Sequence, residues 1–436
     1  MRDILLIGAV MMAAVVGFRH PVFGLLTFVF LGLFNPHSYT WSFGRTFPLS
    51  QVMAISTMLG MLVSRERRRI PVQREALLLM LLCGMFGFST IFALYPETAF
   101  DRFIHVSKVL LMTVVATLVI NSEDRLHSFI RVIGYSLGFY GLKGGLFAIL
   151  TGGGFLVYGP EDSFLEANNS IGLALAMNIP VLLYLLKREE LAWVRWIVRA
   201  MLLFSYPAIV CTFSRGAWLG MVMATAMSLI KSRKKFLAVG LAGIVVVMLQ
   251  TILPQIAPDR LARRYDELVR YEEETSAQSR LWNWEFCKRV GLARPVFGGG
   301  FNFYTLESYA RFYPEFQVRW PGKVWSCHSI WLTVFGEHGI PGFTIWVALL
   351  ISCILSLRRI RIYASNDPDK LYVMDLVDMV QSAIVVYLVI GTFLDAGYFD
   401  LFYYLVALII IAKGLVASAA KGGVVGLTGV EQAPSS

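Results

Sequence analysis

Long apolar runs separated by short polar breaks dominate the chain, and one extended polar stretch interrupts them. Apolar runs fall near residues 50–64, 76–94, 104–120, 128–150, 169–186, 196–213, 214–230, 236–253, 329–357, 373–394 and 398–418. Each approaches the about 20 mostly apolar residues that a bilayer-crossing helix needs. From Pro254 to Cys327 the pattern changes to polar and aromatic residues. The expectation is an all-α polytopic membrane protein in four parts: helices with short loops over 1–253, a large external loop over 254–327, C-terminal helices over 328–418, and a tail over 419–436.

The first 35 residues are harder to place. Residues 4–18 and 22–35 are short for spans and are joined by Arg19-His20-Pro21. Two full spans put the N-terminus outside. One broken span puts it inside and gives about 12 spans, a reading preferred because helix breaks are tolerated where neighbouring helices cover them. Met1-Arg2-Asp3 and the apolar run after it resemble a signal peptide, but no small-residue cleavage site follows, so a retained helix is expected.

Composition agrees with the pattern. The chain is 57% hydrophobic and 16% charged, against about 45–50% and about 25% for soluble domains. The formal charge of +10 does not mark a nucleic-acid surface. Its clusters, Arg65-Glu66-Arg67-Arg68-Arg69, Lys231-Ser232-Arg233-Lys234-Lys235 and Arg358-Arg359-Ile360-Arg361, sit in short loops between apolar runs. That is the positive-inside pattern. By alternation the loops near Tyr95-Pro96-Glu97, from Gly152 to Asn169, at Ser214-Arg215-Gly216, the large loop and Asp395 to Asp400 face outward. Cys83, Cys211 and Cys353 lie in apolar runs, where a thiol is a small hydrophobe. Cys287 and Cys327 share the large loop, and an oxidising compartment would allow them to pair, which the sequence leaves open. No cysteine or histidine spacing resembles a metal site.

Three polar elements meet on the outward side. The first is the turn Phe213-Ser214-Arg215-Gly216. An arginine at the membrane edge either snorkels to the interface or grips an anion, which its planar fork suits. The second is Ser279-Arg280-Leu281-Trp282 with the later Pro295-Val296-Phe297-Gly298-Gly299-Gly300. The triple glycine lacks the frame and lysine of a phosphate loop and reads better as a tight turn. The third is Cys327-His328-Ser329, then Glu337-His338-Gly339-Ile340-Pro341-Gly342, where glycine and proline predict a helix break. Two of the six histidines lie here; His20, His37, His105 and His127 show no partner pattern.

These residues resemble the O-antigen ligase and polymerase superfamily. His328-Ser329, nine residues, Gly339, two residues and Gly342 look like the motif of its ligases, and with the Arg215 turn, Arg280 and the single large loop the likeness covers roughly 160–360. The N-terminal third, with Asn35-Pro36-His37 and Gly141-Leu142-Lys143-Gly144-Gly145, is more similar to O-glycosylation ligases associated with exosortases. The resemblance implies a GT-C-like inner-membrane enzyme working on the periplasmic face. It implies metal-independent, inverting transfer of a glycan from undecaprenyl pyrophosphate to a sugar hydroxyl of lipid A–core, with no cofactor. Arg215 and Arg280 are then expected at the pyrophosphate. His328 is the first candidate for general base and His338 the second, with Glu337 orienting either, and Asp395 or Asp400 less so. Lys143 is a marginal phosphate candidate, and Asn168 and Asn169 are candidates for sugar contact.

A polymerase that lengthens another lipid-linked unit, or a ligase that glycosylates protein, uses the same donor and remains open. A transporter of lipid-linked sugars belongs to another class. It predicts symmetric repeats and charges at mid-membrane, and the sequence shows neither.

Overall fold

The computed structural model describes residues 2–41, 43–64, 73–230, 279–365 and 371–427. Outside them lie the expected span near 236–253, the basic clusters at 65–69 and 231–235, and the first part of the large loop. Among the described residues there is no strand, and the protein is an all-α polytopic membrane protein. Among the described residues, eight helices are long and apolar enough to cross a bilayer, and Pro21–Phe34, Leu49–Val63 and Arg215–Ile230 are shorter apolar helices. The apolar runs and the helices coincide closely: the run at 169–186, for example, is helix Asn168–Arg188.

The N-terminus departs from the preferred reading. Residues 2–34 form not one broken span but two helices, Arg2–Arg19 and Pro21–Phe34. Both pack on Leu49–Val63. Asp3 accepts the Gly44 N–H at 2.9 Å, so the chain start sits beside the segment that follows the second helix. At the other end of the first helix, the Phe18 carbonyl lies against Gly60. The two helices therefore run antiparallel, as a hairpin. Proline at the first position of the second helix, with its fixed φ and no N–H to satisfy, favours a new helix start there.

The bundle has two polar ends. At one, charges are paired. Lys187 and Arg188 bind Asp375 at 2.6 and 3.0 Å, Arg131 binds Glu189 at 2.7 Å, and Arg361 pairs with Asp378. Glu75 is fully buried there and receives Lys413 at 2.6 Å and the Ser352 hydroxyl at 2.6 Å. At the other end lie the turn at 211–215, the loop at 391–399 and the described part of the large loop. Residues 279–327 build a small core of their own from Phe286, Phe303, Tyr309 and Phe316, with a disulfide between Cys287 and Cys327 inside it.

Candidate active site

Local structure at this second end brings four distant segments together. Phe213 adopts φ 50°, and the Ser214 hydroxyl accepts the Ala217 N–H at 3.3 Å, starting helix Arg215–Ile230. The Asn168 amide donates to the Thr212 carbonyl at 2.9 Å and braces the turn. Arg215 is left exposed at the helix start. Arg280, half-buried, opens the helix over 279–293. Trp284 of that helix stacks on Phe393 at 6.1 Å, which fixes it over the 391–395 loop. The same loop is tied down by Trp331, whose indole N–H donates to Thr392 at 3.1 Å.

His328 follows the disulfide directly and has φ 49°. The left-handed region is uncommon for residues other than glycine. A side chain persists there when its surroundings over-determine it, as they often do at functional sites. Ser329 then stands at the N-cap position of helix Ile330–Ala364, where its carbonyl accepts the Thr333 N–H at 2.8 Å.

Electrostatics link the four segments. Burial lowers the Arg280 pKa, and the neighbouring Arg215 guanidinium lowers it further. Burial also holds the His328 imidazole below its ordinary range; Asp395 opposes this and Arg280 adds to it. Electrostatic reach thus runs in a row, from Arg215 to Arg280, from Arg280 to His328 and from His328 to Asp395. Two guanidiniums held side by side repel, a cost that an anion between them removes. A lowered pKa leaves His328 neutral at pH 7, the form a general base requires. Asp395 is exposed, and its Oδ1 accepts the Thr333 hydroxyl at 2.7 Å.

Behind this cluster the helix break takes a definite form. Gly339 has φ 63° and ψ −163° inside helix Ile330–Ala364, a region open essentially to glycine alone. A Cβ there would also lie 2.4 Å from the Pro295 carbonyl oxygen. The break frees the carbonyls of Gly336 and Glu337, which accept the N–H groups of Gly299 at 2.8 Å and Gly300 at 2.9 Å. Ile340 N–H turns to the Pro295 carbonyl at 2.7 Å. The triple glycine is therefore a splice for a broken helix. Its amides at Gly299 and Gly300 are occupied, and no phosphate cradle remains.

The two histidines differ sharply. His338 is fully buried. Its ring stacks on Phe86 at 4.1 Å and meets Phe301 edge-on at 4.5 Å, and Nδ1 shares a 2.5 Å hydrogen bond with Ser89. Gly342 leaves room for it, since a Cβ there would come 2.4 Å from that of His338. Glu337, 2% exposed, accepts the Tyr398 hydroxyl at 2.6 Å and the Asn302 N–H at 3.0 Å. Glu337 and His338 thus form a layer beneath the cluster, while His328 faces it.

Lys143 donates to the Tyr39 hydroxyl at 3.3 Å and lies over that ring. Asn168 spends its amide on the turn. Sequence reasoning passed over Tyr398 and Thr333; the placing of Tyr398 between the acidic pair Asp395 and Asp400 was the available signal.

The model of the O-antigen ligase family covers Arg215, Arg280, His328, Glu337 and His338 in one match. Residues 199–347 match the O-antigen ligase family. Residues 1–190 match a family of unknown function, DUF5935, and no curated protein matches the sequence. The O-antigen ligase match makes this a glycosyltransferase-like membrane enzyme. Asp395 and Tyr398 lie beyond the matched residues, and the fold returns them to it through Thr333 and Glu337.

Proposed function

We propose that the protein is an O-antigen ligase that moves a glycan from undecaprenyl pyrophosphate to a sugar hydroxyl of lipid A–core, at the periplasmic face of the inner membrane. The observation that carries this reading is the joint placement of His328, Asp395 and the two arginines. His328 removes the proton of the acceptor hydroxyl. The oxygen attacks the anomeric carbon from the side opposite the pyrophosphate, the carbon–oxygen bond to pyrophosphate breaks, and the configuration inverts. Arg215 and Arg280 stabilise the charge that develops on the leaving pyrophosphate, the work a metal ion does elsewhere, so the transfer is metal-independent. Asp395 orients His328 and supports its imidazolium once the proton arrives. His338, sealed among aromatic rings, shapes the layer below.

The periplasmic placement rests on topology. Arg358, Arg359 and Arg361 lie at the end opposite the cluster, which positive-inside charge assigns to the cytoplasm. The test mixes purified protein with lipid-linked glycan and lipid A–core in the presence of EDTA and follows acceptor size on a gel. Acceptor should grow with wild type and stay unchanged with His328→Ala. Donor chains lengthening in place of acceptor would make the enzyme a polymerase, and donor left unconsumed would end the transferase reading.

A further inference from the structure

A cavity of about 190 Å3, lined by charged and aromatic side chains, lies at the same end of the bundle. By the about 10–15 Å3 that one water position takes, it has room for roughly a dozen waters, or for one sugar ring. Most of its lining comes from residues 28–164, within the segment that the O-antigen ligase match leaves uncovered, and Asp400 and Tyr404 complete it.

The lining chemistry selects the ligand. Arg45 Nε binds Asp162 at 2.8 Å, so that pair cancels. Lys108 and Asp400 lie within electrostatic reach of each other and cancel likewise. Two carboxylates oppose an anion, and two cations oppose a cation. Phe47 and Phe164 add apolar faces. Two groups ask for a hydrogen-bond partner among the described residues: the buried Tyr404 hydroxyl, 1% exposed, and Arg45 Nε, whose approach to Asp162 is an ion pair without hydrogen-bond geometry. A buried hydroxyl left unmade is costly, and a ligand oxygen in the cavity satisfies it. Charge balance, aromatic walls and an orphan hydroxyl together fit a neutral polyol.

We infer that this cavity binds a neutral sugar ring, at a site separate from the arginine cluster. Its link to the cluster is short. Asp395 belongs to the cluster and Asp400 to the cavity, and five residues of chain span at most about 18 Å. Phe399 meets Phe164 edge-on at 5.3 Å and locks the loop between them. A glycan held here by one ring extends its further residues toward the cluster; that step alone rests on the transferase reading.

The test uses the full chain in nanodiscs free of sugar detergents. Saturation-transfer NMR is recorded with glucose, galactose and N-acetylglucosamine, and with inorganic phosphate as the anionic control. At least one sugar should show transfer, and Tyr404→Phe and Asp400→Asn should each weaken it at least fivefold. Tyr404→Phe removes only an oxygen without a protein partner, so its melting temperature should not fall. Arg280→Ala should leave sugar binding intact. Kinetics then name the source: Tyr404→Phe raises KM for the acceptor glycan if the acceptor sits here, and for the donor if the donor does. No transfer to any sugar, equal transfer in both variants, or displacement of sugar by phosphate would overturn the inference. Sugar binding that depends on Tyr404 in a protein that transfers nothing keeps the cavity and removes the transferase reading; glycan transfer without sugar binding does the reverse.

Discussion

The two ends of the bundle use charge in opposite ways. At one end each of the acids Glu75, Glu189, Asp375 and Asp378 meets a cation, and Glu75 is further held by serine hydroxyls. At the other, Arg45 pairs with Asp162 and Arg289 with Glu285, but within the cluster like charges share a neighbourhood: Arg215 acts on Arg280, and Asp395 lies close enough to Glu337 for their charges to interact. Paired charges settle the fold, because breaking a pair leaves one partner costly. Like charges side by side raise the energy of the empty site and lower it when a ligand of opposite sign arrives. The first end is built to be stable, and the second is built to bind.

Substitutions at the two ends should therefore separate activity from stability. The largest effect is expected at His328. Removing a general base costs about 10²–10⁴-fold in rate, so His328→Ala should lose transfer by that factor with its melting temperature unchanged. Arg280→Ala should follow, with a loss of about 10²–10³-fold in kcat, the range for removing one preorganised group that stabilises developing charge. At the opposite end, Lys413→Met should destabilise by about 3–5 kcal/mol, the cost of a buried ion pair that loses one partner. Per folded molecule, that variant should transfer at the wild-type rate. Equal rate losses at the two ends would erase the distinction between them.

Between these extremes stands Gly339, which belongs to both ends of the argument. Gly339→Ala forces a side chain into a backbone region worth about 1–3 kcal/mol of strain and against the Pro295 carbonyl. Thermal unfolding should fall by at least that much, and activity should fall with it, because the splice that Gly339 permits also holds Glu337 in place through Asn302.

How much of this was legible in the sequence differs between the two ends for a physical reason. Helices follow from local apolar runs, so nearly every described span was visible. The break at Gly339-Ile340-Pro341-Gly342 was visible too, since glycine and proline act on their own backbone. The N-terminal hairpin was not, because 18 and 14 residues are marginal span lengths and only contacts such as Asp3 to Gly44 fix the direction of the chain. Arg215, Arg280, His328 and Asp395 were each singled out, and in the fold each lies within electrostatic reach of the next. The triple glycine gave no hint of its partners, since the carbonyls it satisfies belong to residues 336 and 337, far along the chain. Tyr404 sits in an unbroken apolar run, where nothing local distinguishes a packed tyrosine from one that faces a cavity.

The smallest expected effect is the sharpest test of the cluster itself. His328 must be neutral to accept a proton, so kcat/KM should fall as pH drops through its pKa. Burial and Arg280 hold that pKa below the ordinary value of about 6.5; activity should therefore persist into mildly acidic solution before it declines. Asp395 pulls the other way, favouring the imidazolium. Asp395→Asn removes that pull, so the acid limb of the profile should move to lower pH, while the lost orientation of the ring lowers the plateau. A limb that stays where it was in Asp395→Asn would mean that the carboxylate does not act on the titrating group, and the base would have to be sought away from His328. Because Asp395 is exposed, salt should shrink the displacement by screening. That dependence sets it apart from Glu75 at the paired end, whose carboxylate is fully buried.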